Sequence, residues 1–109
     1  MAYNERLAQR MRAHLADQSE LYERKMFGGL VFMVQGNMCC GIMGDDLMVR
    51  VGPAQYAASL AQPHAREMDF TGRPMVGMVR VAADGVASDE LLEQWIRRGL
   101  AFVSSLPPK

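Results

Sequence analysis

The chain is poor in the features that announce a chemistry, and each shortage excludes something. No apolar run approaches the roughly 20 residues of a membrane-spanning helix, so no membrane partner is expected. The opening MAYNERLAQRMRAHLADQSE mixes charged and apolar residues where a signal peptide would run uninterrupted, which predicts a cytoplasmic protein. Net charge is absent too, because 12 basic side chains balance 12 acidic ones. Direct binding to nucleic acid is therefore expected to be weak or nil.

Reactive side chains are scarce as well. The only cysteines are the adjacent pair Cys39-Cys40, and neighbouring strand residues face opposite sides of a sheet, so the two cannot jointly hold a metal without strain. One buried and one partly exposed cysteine, both reduced, is the expectation. The only histidines, His14 and His64, stand in no metal-ligand spacing with Cys, Asp or Glu. Phe27-Gly28-Gly29 is not a phosphate loop, since it lacks the Gly-x4-Gly-Lys pattern and lies within or beside a strand. Close approach of the first or last helix is the simpler reason for Gly28 and Gly29. No nucleophile carries a local signature. The reading is a non-enzymatic protein with no catalytic residue, metal or cofactor.

What is present specifies a fold. At 109 residues the chain fits one domain, residues 1–109. Asn4 is a candidate N-cap for a first helix that places Leu7, Met11 and Leu15 on one face and ends near Asp17 to Ser19. From Lys25 to Val51 three apolar runs are separated by Gly36-Asn37 and Gly44-Asp45-Asp46, residues that reach positive φ at little cost, which predicts a three-stranded meander. Its first strand, Lys25 to Val34, is apolar on both faces, and its third is Leu47 to Val51. Gly52-Pro53 opens a short helix carrying Tyr56 and Leu60, which Pro63 stops. Strands follow at Arg66 to Phe70 and Met75 to Ala82, joined by a turn at Thr71-Gly72-Arg73-Pro74. Ser88 caps a last helix whose apolar stripe, centred on Trp95, carries the core, with Pro107-Pro108 preventing its continuation.

The predicted order is α-β-β-β-α-β-β-α. That is a two-layer α+β fold with a five-stranded, mostly antiparallel sheet covered by helices.

Ten of the 12 basic residues are arginine, which favours bidentate pairing with carboxylates or phosphates. Arg50 and Arg80 each sit mid-strand opposite a valine stripe, and Arg73 lies in a turn. If their strands are neighbours, these arginines form a small basic patch among Met48 and Met78, suited to an acidic peptide or a phosphate. The competing reading pairs them with Asp45, Asp46, Glu67 or Asp69. The internal methionines fill a core or supply an adaptable partner-binding face. A sheet apolar on both faces needs more cover than three helices give, so a homodimer is expected.

The segments Met26-Phe27-Gly28-Gly29, Gly36-Asn37-Met38, Met48-Val49-Arg50-Val51-Gly52 and Asp69-Phe70-Thr71-Gly72-Arg73-Pro74-Met75 resemble, in order and spacing, the N-terminal domain of the TfoX/Sxy family of bacterial competence regulators. The resemblance spans essentially the whole chain, as a stand-alone domain. It implies a small α+β fold similar to secretion chaperones and a transcriptional co-regulator that acts through protein contacts. Full-length members work with the cyclic-AMP receptor protein and carry a second, helical C-terminal domain. The family supplies no established catalytic residues. The alternative reading is a small-ligand or anion-binding module that uses the arginine patch.

Overall fold

The computed structural model describes residues 3–26, 28–69 and 74–108. Helix α1 spans Glu5–Leu15, with the Asn4 side chain accepting a hydrogen bond from the Leu7 amide at 3.0 Å. Strands β1 (Leu21–Met26), β2 (Gly29–Val34), β3 (Asn37–Met43) and β4 (Asp46–Arg50) follow. A 3-10 turn at Pro53–Gln55 leads into the short helix α2 (Tyr56–Leu60). Strands β5 (Ala65–Asp69) and β6 (Pro74–Val81), a second 3-10 turn at Ala83–Val86 and helix α3 (Asp89–Val103) complete the chain. The Ser88 hydroxyl accepts from the Leu91 amide at 3.1 Å, and Asp89 and Glu90 occupy the first turn, where the helix dipole favours carboxylates.

The α+β class is as the sequence implies, but the sheet has six strands, not five, in the order β1-β2-β3-β4-β6-β5 with antiparallel neighbours. The apolar run from Lys25 to Val34 is broken at Gly28, whose φ of +75° turns the chain back so that Met26 pairs with Gly29. Gly29 is small for the sake of a neighbouring strand, not a helix: a β-carbon there would fall 2.0 Å from the Ile42 carbonyl oxygen. Gly36, at φ +81°, forms the β2–β3 turn with Gln35, and the next residue, Asn37, is buried and donates from Nδ2 to the Pro107 carbonyl at 3.0 Å. This bond ties the end of the chain to the sheet. Gly72 falls outside the described residues. Helix α3 ends at Val103, a turn short of the prolines, and Trp95 is 5% exposed in the core.

All three helices pack on one face. Their apolar side chains join Phe32, Ile42, Leu47, Val49, Val79 and Val81 in the main core. A bulge between Phe32 and Met33 in the β2–β3 register adds one residue to β3, and both Cys39 and Cys40 enter this core, at 0% and 1% exposure. The expectation of one partly exposed cysteine therefore fails, because the bulge breaks the two-residue alternation on which it rested. Both thiols are free, and a hydrogen bond with Cys39, reinforced by burial, pushes the Cys40 thiol well above its ordinary range.

The opposite face forms a second, smaller core. Val31, Met33, Met48, Met68 and Met78 are buried in it, ringed by the half-buried Met26, Met38, Met43 and Met75. No helix residue belongs to this cluster. Every strand supplies at least one methionine, and the unbranched thioether chains fit the twisted sheet without a covering helix.

Candidate functional site

Strands β4 and β6 are neighbours, and the register sets Met48 opposite Arg80 and Arg50 opposite Met78. The four side chains thus share the helix-free face in a checkerboard. Met48 and Met78 are 1% and 5% exposed, so the surface of this quartet belongs to the arginines. Arg73 lies outside the described residues.

The arginines are held differently. Arg80 Nε donates to Asp46 Oδ2 at 2.7 Å, and Arg66 Nη2, from the β5 residue paired with Arg80, donates to the same oxygen at 3.1 Å. Two cations therefore share one carboxylate, so Asp46 takes the pairing role considered for it in the sequence. Arg50 enters none of the described ion pairs: Nη1 reaches the Met38 carbonyl at 3.5 Å and its guanidinium stacks 5.1 Å from the Phe102 ring centroid. Register also puts Tyr22 and Arg24 of β1 on this face, opposite Met33 and Val31. Across β1 to β4 the register brings a single carboxylate, Asp46, to this side.

A second feature runs along α3 and shares Phe102 with Arg50. The turn Pro53–Gln55 and the outer surface of α3 enclose a groove of about 750 Å³ whose walls include Phe102, Ala101, Gln94, Arg97 and Arg98. Next to it, Trp95, Leu91, His64 and Gln62 line a recess of about 210 Å³ that shares Gln94 and Arg98 with the groove. The sequence reading passed over Arg98. Its one local signal is the Trp95–Arg98 spacing, which stacks the guanidinium 5.2 Å from the indole centroid. The rest of its setting comes from distant segments.

A family model for the TfoX N-terminal domain matches residues 13–103. The chain belongs to the TfoX N-terminal domain family. That covers the helices, the six strands and both features just described, apart from the first turns of α1. No curated protein and no solved structure matches the chain. The TfoX N-terminal domain is not a known enzyme family, and membership fits a competence-related role. Among the described residues no group of three metal-ligating side chains converges, and no helix is long and apolar enough to cross a membrane.

Proposed function

We infer that the protein is a regulatory binding domain of the competence type, which docks a second protein on the helix-free face of its sheet and acts in transcriptional regulation through that contact. The observation that carries this reading is the make-up of the face. Arg24, Arg50, Arg66 and Arg80 stand over a methionine layer, beside Tyr22 at 45% exposure. Arginine, methionine and tyrosine are the residues that protein interfaces enrich, whereas lysine and glutamate, which they deplete, are absent from this side of β1 to β4. Arg24 and Arg50, which enter none of the described ion pairs, select a partner segment with carboxylates around apolar side chains.

A homodimer through the same rim of half-buried methionines is the second reading. Two copies related by a two-fold axis would set arginine against arginine, which favours a different, acidic partner. A photo-reactive residue placed at Tyr22 in living cells tests the choice. The expected product joins this chain to another protein and disappears in the double variant Arg24→Glu, Arg50→Glu. A product containing only two copies of this chain supports the dimer, and crosslinking indifferent to both charge reversals defeats the docking face altogether.

A further inference from the structure

We propose that the groove and recess beside α3 form a binding site for an amphipathic organic anion, a small molecule with one carboxylate and an aryl or alkyl group. The site meets the docking face at Phe102, on which Arg50 stacks; its test reads Trp95 and Arg98, which take no part in the docking inferred above, so the two can fail separately.

Three observations converge on it. The first is electrostatic. The ionisable side chains in the walls of the two concavities are Arg97, Arg98 and His64, and no carboxylate lines either one among the described residues. Arg97 is engaged at the surface by Glu93 at 3.1 Å, whereas Arg98 enters none of the described ion pairs. By contrast, the pocket around Arg6 and Arg10 at the start of α3 contains its own carboxylate, since Arg10 Nε pairs with Asp89 at 3.0 Å.

The second is preorganisation. Arg98 Nη1 donates to the Ser59 hydroxyl at 3.1 Å, and Ser59 is fully buried, one of two buried polar side chains among the described residues. The indole of Trp95 supports the same guanidinium from one side. A long flexible side chain is thereby fixed in the shared wall of both concavities before any ligand arrives, which lowers the entropic cost of binding. Its remaining nitrogens make none of the described hydrogen bonds, and they are the donors a carboxylate would take.

The third is the shape and chemistry of the walls. The groove volume of about 750 Å³ lies within the span typical of small-molecule sites, roughly 300–1,000 Å³. Phe102, Ala101 and Pro53 supply an apolar wall, and the Gln55 and Gln94 amides add neutral polar groups. The recess of about 210 Å³, room for about seven waters at roughly 30 Å³ each, has Trp95 and Leu91 as its apolar side. An anion held at Arg98 can thus lay an apolar tail along α3 in either direction. Inorganic phosphate would use the cation and leave both apolar walls unfilled.

The single tryptophan gives the test its readout, because one indole N–H resonance reports on the site without further assignment. The intact protein is titrated with 4-phenylbutyrate, its neutral amide 4-phenylbutanamide, the cation 4-phenylbutylamine and inorganic phosphate. The expected result is a saturable shift of the Trp95 indole signal with the acid and at least about tenfold weaker binding of amide, amine and phosphate, a difference of about 1.4 kcal/mol. Arg98→Gln should erase the preference for acid over amide. Ala101→Phe, which narrows the groove without touching Arg98, should weaken both and serves if Arg98→Gln does not fold. An unmoved indole signal, equal binding of acid and amide, phosphate matching the acid, or wild-type affinity in Ala101→Phe would each overturn the proposal.

Discussion

The Phe102 ring occupies the space in which a side chain at Gly52 would begin: a β-carbon there would lie 2.3 Å from Phe102 Cδ1 and 2.5 Å from Cε1. Gly52 also adopts φ +83° and ψ 160°, a region that only glycine enters without strain. The end of β4 and the last turn of α3 are thereby keyed together, and the same ring carries Arg50. Gly52→Ala should combine backbone strain with overpacking and destabilise the fold by about 2–5 kcal/mol. A urea midpoint equal to that of the wild type would show that Phe102 yields freely.

Much of the architecture was legible because it rests on local chemistry. Asn4 and Ser88 cap their helices through side-chain bonds three residues long, and the alternation in Leu47 to Val51 put Arg50 in register with Met78 and opposite the valines, although its guanidinium reaches Phe102 of α3. The extra strand was not legible. Strand β1, LYERKM, is an edge strand exposed along most of its length, so it carries no apolar alternation to betray it, and the continuous apolar run after it hid the turn at Gly28. The bulge at Cys39 has no sequence signature either; it lies where α3 comes close to β3 at Gly99, and a β-carbon there would come 3.0 Å from the Cys39 carbonyl. The Arg98 site escaped for a related reason. Ser59 and the Pro53–Gln55 turn reach it only through the tertiary fold.

The bulge has a chemical consequence. With both cysteines enclosed by the core and the Cys40 thiol pushed up by its hydrogen bond with Cys39 and by burial, neither presents a thiolate to solvent. A thiol-specific alkylating reagent at pH 8 should leave the native protein unlabelled and modify both residues once it is unfolded. Rapid native labelling of either cysteine would mean that β3 opens locally, well below the free energy of global unfolding.

Acid sensitivity should trace in part to the tie between α1 and β1. Arg12 donates from Nε and Nη2 to Glu23 at 2.7 and 2.8 Å and from Nη1 to Glu5 at 2.9 Å. The hydrogen bonds from Arg12 hold the Glu23 carboxyl below its usual range against a smaller opposing effect of burial. A carboxyl lowered on folding stabilises the protein fully above its unfolded pKa, about 4.3, and that contribution disappears as pH falls through the lower folded value. Both partners are about one-third exposed, so solvent limits the gain to about 1 kcal/mol or less. Urea midpoints measured from pH 6 down to pH 3 should therefore fall more steeply for the wild type than for Glu23→Gln. Parallel curves would remove the pair from the acid response.

Asp46 allows architecture and binding to be separated at the arginine face. Replacing it with Asn removes the carboxylate that Arg80 and Arg66 share while nearly preserving volume, so stability should drop by about 1 kcal/mol as the partly buried bond to Arg80 and the exposed one to Arg66 weaken. The face becomes more positive by one charge at the same time. Affinity for an acidic partner should then rise, through faster association that salt suppresses. Arg50→Ala should do the reverse: it breaks no ion pair, costs at most about 1 kcal/mol in stacking on Phe102, and weakens binding. Opposite signs for Asp46→Asn in stability and in affinity for the partner captured at Tyr22 are what a docking role requires. If both quantities fall together, the Asp46–Arg80 pair holds strands β4 and β6 in place and does nothing more.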